Sequence, residues 1–495
     1  MKKSIKNRIP GVLIVVLLAI ALVLFMAILI KIKLLPTKFL LLAGGIFLIY
    51  AICVFLLTRN SERVGAMICG CMMTMLMLIA LMLGTPYLTR AVDTLGNITG
   101  VDVEIADVGV YVRSDSVMTQ LEDLTGGSIG MMEQLDRENS EKALADVQSR
   151  IGTLQVQTFA GIAELIDGLM DSEVNAILVN SAYLDLLADM DGYEEVNKQI
   201  RQIHTYKAET VIEKPKDKTG QTDDLGISGV FGENKENKDR VFTMYISGID
   251  SRSGLIAKSR SDVNIIATVN VDTRQVLLIS TPRDFYVPLP ISNGIPDKLT
   301  HAGIYGIDVS MGTLEMLYGT EIDYYFRVNF SGFEKIIDAL GGITVHSDYT
   351  FTAGGYNYYE GENTLNGAEA LRFARERKSF SSGDRQRGKN QMAVIEAVIQ
   401  KAMSPAILAG YMDIMESVSG SFETSMPYDV IAELVRDQLD KGGSWNIVSY
   451  SVDGTGDNQI PYSMSTSAYV MIPDQSTVDA AIAKIQQVKN GESLE

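Results

Sequence analysis

The run from Gly11 to Ile30, GVLIVVLLAIALVLFMAILI, holds twenty residues without a charge. A helix of that length crosses a hydrocarbon layer of about 30 Å, so this part of the chain is bound to a bilayer. Two further apolar runs, Phe39 to Leu57 and Val64 to Gly84, follow after short polar turns. A cleaved secretory signal would fit the basic start (Lys2, Lys3, Lys6, Arg8). It would need a shorter apolar region and a small-residue cleavage site, and would leave the next two runs unexplained. Three spans are therefore expected. The N-terminal bases and the pair Arg59 and Arg63 suit the cytoplasmic side, while Lys31, Lys33 and Lys38 run against that pattern. An odd number of spans with the N-terminus inside places everything after Thr85 outside the cell.

The remainder has a different composition. Residues 91–495 carry 33 bases and 60 acids, a balance of −27. A surface so acidic lacks the basic footprint of general nucleic-acid binding, so no nucleic-acid partner is expected. Cys53, Cys69 and Cys71 all lie in the apolar runs, which leaves the soluble part without a disulfide framework or a zinc-type spacing. His204, His301 and His346 are too scattered in sequence to suggest a histidine metal cluster.

Four segments follow from composition: a membrane anchor over 1–90, an accessory unit over 91–207, a linker over 208–240 and a main unit over 241–495. In the accessory unit, strand-like DVGVYVRSD, SIGMM, LQVQTF and VNAILVN alternate with helix-like SVMTQLEDL, SEKALADVQSRIG and GIAELIDGLM. That alternation predicts an open α/β sheet, and its order resembles a lobe of a periplasmic solute-binding protein. A spacer or interaction role is the plainer reading. The linker is rich in Lys, Glu, Asp and Gly. Ala406–Glu495 has helical VIAELVRDQL and VDAAIAKIQQV beside strand-like WNIVSYSV and AYVMI, and is expected to complete the main unit.

Chemistry concentrates after Val241. FTMYISGID is a strand ending at Asp250, SDVNIIATVNV a strand beginning at Asp262, and QVLLISTPRD a strand ending at Arg283 and Asp284. Charged groups at strand ends of an α/β sheet are placed where such sheets meet ligands, although each aspartate alone would read as a turn-former. Arg372 to Lys389 then holds seven bases: Arg372, Arg375, Arg377, Lys378, Arg385, Arg387 and Lys389. A charge run is usually a solvated face. Here five of the seven are arginines, whose planar fork pairs bidentately with phosphate oxygens, and the surrounding unit is acidic. Arginines facing strand-end aspartates suit a pyrophosphate held together with a divalent metal. Asn366 is placed to cap a helix through GAEALRFAR. The helical FEKIIDAL with VNIIATV and VLLIS would line a lipid pocket or serve as ordinary core.

These residues carry a resemblance. GID (248–250), SRSD (259–262), STPRD (280–284), DKLTHA (297–302), GFEKIIDALGGITV (332–345), LNGAEALRFARER (365–377) and GDRQRGKNQ (383–391) occur in order over a core of about 242–405. The region is similar to the LytR–CpsA–Psr family of cell-wall glycopolymer transferases. The resemblance implies an α-β-α sandwich with a central mixed sheet. It implies an enzyme outside the membrane, in most cases of Gram-positive bacteria. Such an enzyme moves a teichoic acid, capsule or similar glycan from an undecaprenyl-pyrophosphate carrier to peptidoglycan, as a Mg²⁺-dependent phosphotransferase. By motif position Asp250 and Asp262 correspond to magnesium-side carboxylates. Arg283, Arg375, Arg377, Arg387 and Gln391 correspond to pyrophosphate contacts, Asp384 to a residue orienting the arginines, and Lys298 to a further contact. Val287 is apolar where some relatives carry a base, and the family's usual anchor is a single span. The same aspartate and arginine set would also serve a receptor that binds lipid pyrophosphates without turnover, or a pyrophosphatase.

Overall fold

A computed structural model describes residues 9–59, 64–99, 103–133, 135–190, 192–193, 195–211, 240–249, 258–404, 414–415 and 417–494. The chain forms two compact units. The first holds three helices, α1 (Ile9–Lys31), α2 (Thr37–Thr58) and α3 (Val64–Thr99). Their apolar spans are Val12–Lys31, Thr37–Thr58 and Val64–Pro86. Leu18, Leu22, Val54 and Leu81 meet at the centre of the bundle. Leu13, Val23, Leu41 and Leu83 face outward, the pattern of helices whose solvent is lipid. α2 and α3 lie close together at Gly70, where an added Cβ would lie 2.5 Å from Cγ2 of Thr58.

The helix Tyr428–Lys441 belongs to this unit, which departs from the expectation that everything after Ala406 completes the main unit. Its apolar face packs on the turn between α1 and α2, with Ala432 buried against Ile32 and Leu34. Tyr428 donates its hydroxyl to the carbonyl of Ile32 at 2.7 Å. Lys33 pairs with Asp429 at 3.1 Å and Lys38 with Asp440 at 2.9 Å. Two of the three lysines that run against the orientation pattern thus have acidic partners, a contact that residue counts along the spans do not reveal.

The second unit contains two sheets. The first comprises β1 (Val103–Arg113), β2 (Ser128–Met132), β3 (Gln155–Phe159), β4 (Ala176–Asn180) and β5 (Ile200–Val211), in the order β3-β2-β4-β1-β5. β2 runs parallel to β3 and β4, and β1 antiparallel to β4 and β5. Helix α4 (Arg137–Ile151) covers one face through Ala143, Val147 and Ile151. Helix α5 (Ile162–Met170) covers the other through Ile162, Leu165, Ile166 and Leu169. Two expectations are corrected. The start of the proposed linker is strand, since Ala208 to Val211 pair with Ala106 to Val103. SVMTQLEDL is helical only as a 3₁₀ turn at Leu121–Leu124. The carboxylate of Asp123 accepts the backbone N–H of Thr119 at 2.7 Å and of Gln120 at 3.2 Å, local bonds that compete with a longer helix.

The second sheet comprises β6 (Val241–Ile249), β7 (Ser261–Asn270), β8 (Gln275–Thr281), β9 (Tyr324–Asn329), β10 (Phe422–Thr424) and β11 (Asn446–Ser451), in the order β10-β9-β6-β7-β8-β11. β9 is parallel to β6 and β11 to β8, whereas β7 and β10 run antiparallel to their neighbours. On one face, Tyr245, Ile266, Leu277 and Ile279 pack against helices α6 (Ile307–Tyr318) and α9 (Gln475–Lys489). On the other, Ile265, Ala267 and Leu278 meet Met392 of helix α8 (Asp384–Ala402). Helix α7 (Gly367–Arg375) precedes α8, and Asn366 caps it by accepting the N–H of Glu369 at 3.0 Å. The result is an α-β-α sandwich on a mixed sheet.

The two sheets share a core and a buried ionic link. The cluster around α5 continues into Ile304, Met464 and Ala468. Arg327 on β9 is 2% exposed and donates Nη1 to Glu104 of β1 and Nε to Glu423 of β10, the latter at 2.8 Å. Glu104 also accepts the Ile307 N–H, 3.2 Å from each carboxylate oxygen, at the positive end of α6. Burial pushes the Glu423 carboxyl up from 4.5 to about 7, and outweighs the attraction of Arg327. The folded state therefore holds this proton more tightly than the unfolded chain does. That contribution is complete below about pH 4.5 and is lost as pH rises through 7, an effect of roughly 3 kcal/mol. The expected result is that Glu423→Gln flattens the fall in unfolding midpoint between pH 5 and pH 8. An unchanged slope in denaturant titrations at those pH values would show that Glu423 is not its source.

Candidate functional site

The sheet brings the strand-end charges to one edge. β6 and β8 run the same way and β7 the opposite way, so the end of β6, the start of β7 and the end of β8 lie side by side. β9 and β11 also finish at this edge, the carboxyl edge where open α/β sheets take their ligands. Asp262 accepts Nη1 of Arg283 at 2.9 Å and the hydroxyl of Thr300 at 3.3 Å, both on Oδ1. Asp284 lies between Arg283 and Lys298, 3.6 Å from each. Lys298 is almost fully buried yet reaches this cluster. Asp250 lies outside the described residues.

DKLTHA divides into scaffold and site. Asp297 accepts the N–H of Lys298 and Nδ1 of His301, each at 2.7 Å, and the N–H of Ser463 at 3.0 Å. All three of Asp297, His301 and Ser463 are buried, so they fix the segment's path. Thr300 donates its N–H to the carbonyl of Arg283 at 2.8 Å. Lys298 and Thr300 are thereby held against the end of β8. Val287 is core, buried with Phe285 and Leu299 under the sheet.

The arginine-rich stretch separates in the same way. Gln386 and Asn390 are buried; Gln386 donates to Asp348 at 3.0 Å and Asn390 to the carbonyl of Phe373 at 3.3 Å. These bonds fix the rotation of α8. Arg387 pairs with Asp384 one turn earlier and has Arg283, Asp262 and Arg377 as electrostatic neighbours. Burial first, and then the positive charges of Arg283 and Arg377, lower its pKa against the pull of Asp384 and Asp262. Cations gathered this closely can hold an anion between them. Gln391 lies one turn beyond Arg387 on the same helix face.

A cavity of about 380 Å³ opens among Arg283, Asp284, Lys298, Arg377, Gly383, Asp384, Tyr469 and Met471. The remaining bases of the stretch are engaged or turned elsewhere. Arg375 stacks on the ring of Phe330 at 4.1 Å and is not part of the cavity wall. Arg385 is bound to Asp453 at 2.7 Å and to the carbonyl of Gly454 at 3.2 Å. Arg372, Lys378 and Lys389 are exposed. Sequence reasoning missed Tyr469 and Met471, which stand on β13 (Ala468–Pro473) in a hairpin with β12 (Gly454–Gln459). Their two-residue spacing puts both on one side of the strand, but nothing local to AYVMI marks that side as facing a site.

Among the described residues no group of three or more His, Cys, Asp and Glu side chains is spaced to hold a metal ion. Mg²⁺ needs less from the protein, since it binds through one or two carboxylates with substrate phosphate and water filling its shell. With Oδ1 of Asp262 engaged by Arg283 and Thr300, Oδ2 is the hard oxygen suited to one such position.

The chain is similar to known proteins. The model of the LytR_cpsA_psr family matches residues 199–486. A polyisoprenyl-teichoic acid–peptidoglycan teichoic acid transferase TagU of Bacillus subtilis is 34% identical over 221 residues, 44% of this chain and 71% of that protein. The protein of the same name from Enterococcus faecalis is 32% identical over 247 residues, 50% of this chain and 80% of that protein. The crystal structure of TagV from B. subtilis aligns at 27% identity over 52% of this chain and 100% of that chain, with a TM-score of 0.44. The chain belongs to the LytR–CpsA–Psr family.

Proposed function

We propose that this chain, on the outer face of the cell membrane, moves a glycopolymer from an undecaprenyl-pyrophosphate carrier to peptidoglycan. The observation that carries the reading is the convergence of Arg283, Arg377 and Lys298 on one cavity at the carboxyl edge of the sheet, with Arg387 a charged neighbour of Arg283 and Arg377. Four cations beside Asp262, Asp284 and Asp384 match a pyrophosphate, which needs positive charge in several directions at once. The names of the relatives place teichoic acid and peptidoglycan among the substrates of those proteins. The apolar spans supply an anchor in the layer that holds a polyprenyl carrier.

The reaction is a phosphoryl transfer. The oxygen of a peptidoglycan hydroxyl forms a bond to the phosphorus next to the polymer, and the bond from that phosphorus to the bridging oxygen breaks. Polyprenyl phosphate leaves with that oxygen and the electron pair, and the hydroxyl proton passes to solvent or to the departing phosphate. Arg283, Arg377 and Arg387 orient the phosphates and stabilise charge growing on the bridging oxygen. Asp262 holds Arg283 in place, and Asp384 does the same for Arg387. Asp262, with Asp250, would hold Mg²⁺, which neutralises phosphate charge when bound. Gln391, one turn beyond Arg387, extends the set along the substrate, while Arg375, stacked on Phe330, stands outside the cavity. Turnover of a labelled lipid-linked glycopolymer with a glycan acceptor tests the reading; binding without transfer would make the chain a receptor, and water accepting equally well a pyrophosphatase.

Metal and substrate are expected to strengthen each other's binding, because each completes the other's contacts and the coupling is reciprocal. Asp262→Asn is expected to remove most of the magnesium dependence of polyprenyl pyrophosphate binding. Calorimetric titrations with and without Mg²⁺ read this directly. Equal dependence in both proteins would take Asp262 out of the metal site.

A further inference from the structure

Tyr469 is 51% exposed, yet it forms part of the wall of the arginine cavity. Its position is built rather than incidental. β13 is tied to the end of β8, because Met471 donates its N–H to the carbonyl of Asp284 at 2.7 Å. The hairpin is tied to α8 through Arg385, which binds Asp453 and the carbonyl of Gly454. Gly456 pairs with Met471 and Asn458 with Tyr469. A Cβ at Gly456 would lie 2.9 Å from Cε2 of Tyr469, so the outer part of the ring lies against this glycine and would have to shift for a larger residue. The aromatic plane is therefore carried on a rigid hairpin at the mouth of a site whose other walls are charged.

We propose that Tyr469 is a specificity residue that takes a hexopyranose ring against its face, and that it does so beside the phosphates. The inference rests on the transferase reading and deepens it. A sugar has one face of C–H bonds, which packs on an aromatic plane, and a rim of hydroxyls, which seeks polar neighbours. The hairpin supplies both: the Tyr469 ring, and the exposed polar side chain of Asn458, opposite it on the same side of the facing strand. A polyprenyl tail would need a continuous apolar channel, whereas this wall offers two apolar residues among five charged ones. The ring in question is the sugar attached to the donor pyrophosphate, or the sugar bearing the acceptor hydroxyl.

The full chain in detergent micelles is titrated with polyprenyl pyrophosphate and with the same compound carrying one N-acetylhexosamine. The ratio of the two affinities reports the sugar's contribution alone. Tyr469→Ala is expected to lower that ratio about tenfold, Tyr469→Trp to keep it, and Gly456→Ala to lower it by displacing the ring. If the ratio holds while KM for a glycan acceptor rises about tenfold in Tyr469→Ala, the ring serves the acceptor sugar. An unchanged ratio together with an unchanged acceptor KM overturns the proposal, as does an equal loss of both affinities. Absence of transfer in the wild-type chain would instead count against the transferase reading, because the affinity ratio needs no turnover.

Discussion

Replacing Arg327 by methionine is expected to lower the stability of the soluble unit by about 3–5 kcal/mol near pH 8. Glu104 and Glu423 are 3% and 1% exposed, and Arg327 is the cation between them. Methionine fills much of the same volume but leaves two carboxylates facing each other away from water. Such a pair is neutralised by protonation more cheaply than by hydration. The deficit relative to wild type should therefore shrink as pH falls toward 5, where Glu423, whose carboxyl burial already pushes up to about 7, takes up a proton. Trp445, the only tryptophan of the chain, packs against the second sheet beside β11 and gives a fluorescence signal for its unfolding. Because the link spans β1, β9 and β10, the first sheet should lose its protection from proteolysis at the same denaturant concentration. A loss below about 1 kcal/mol at pH 8, or two well-separated transitions in the wild type, would show that the link does not couple the sheets. Replacing all three residues with apolar ones of similar volume is a useful contrast, since buried ion clusters are often exchanged at little net cost.

The parts of the fold that could be read from the sequence are those whose signal is local. A twenty-residue apolar run has one common explanation, and the spans fall where the runs are. β6, β7 and β8 were legible because each is an apolar stretch bounded by glycine or charge. The cap at Asn366 was legible for the same reason. The segment Ser116–Leu124 misled because its apolar spacing is helical while its Ser, Thr and Asp side chains offer the backbone other partners. The helix Tyr428–Lys441 was found, but not its place against the turn at Ile32, because that contact joins residues nearly four hundred positions apart.

The site shows the same boundary between local and distant information. Charge density singled out seven bases, but not which of them share a cavity. That depends on partners distant in sequence: Asp453 draws Arg385 away, and Phe330 takes the face of Arg375. Gln386 and Asn390 fix the rotation of α8 through Asp348 and Phe373, and so aim Arg387 at Arg283. Tyr469 carries no charge and sits in an ordinary strand pattern, so only the tertiary fold marks it.

These geometric distinctions make Arg283 the arginine whose chemistry should matter most. Its guanidinium spans two carboxylates, with Nη1 2.9 Å from Asp262 and Nε 3.6 Å from Asp284, and it borders the cavity. A planar fork can keep both of these contacts and still direct an N–H at a phosphate oxygen. The ammonium of lysine is a point charge on a flexible stem, and cannot hold the same three directions. Arg283→Lys is therefore expected to keep the fold, judged by Trp445 fluorescence, while transfer falls about 10²–10³-fold, the scale seen when one preorganised donor to a developing charge is lost. Arg385→Lys supplies the comparison. Its side chain is exposed and bound to Asp453 and Gly454 on the hairpin, so transfer should change by no more than a few fold. Both variants carry the same net charge as the wild type, so a difference between them measures geometry and not electrostatic potential at the surface. The assay is initial-rate transfer of a labelled lipid-linked polymer at saturating acceptor. Near-wild-type turnover in Arg283→Lys would sink the assignment, and an equal loss in both variants would mean that the stretch acts through diffuse positive charge.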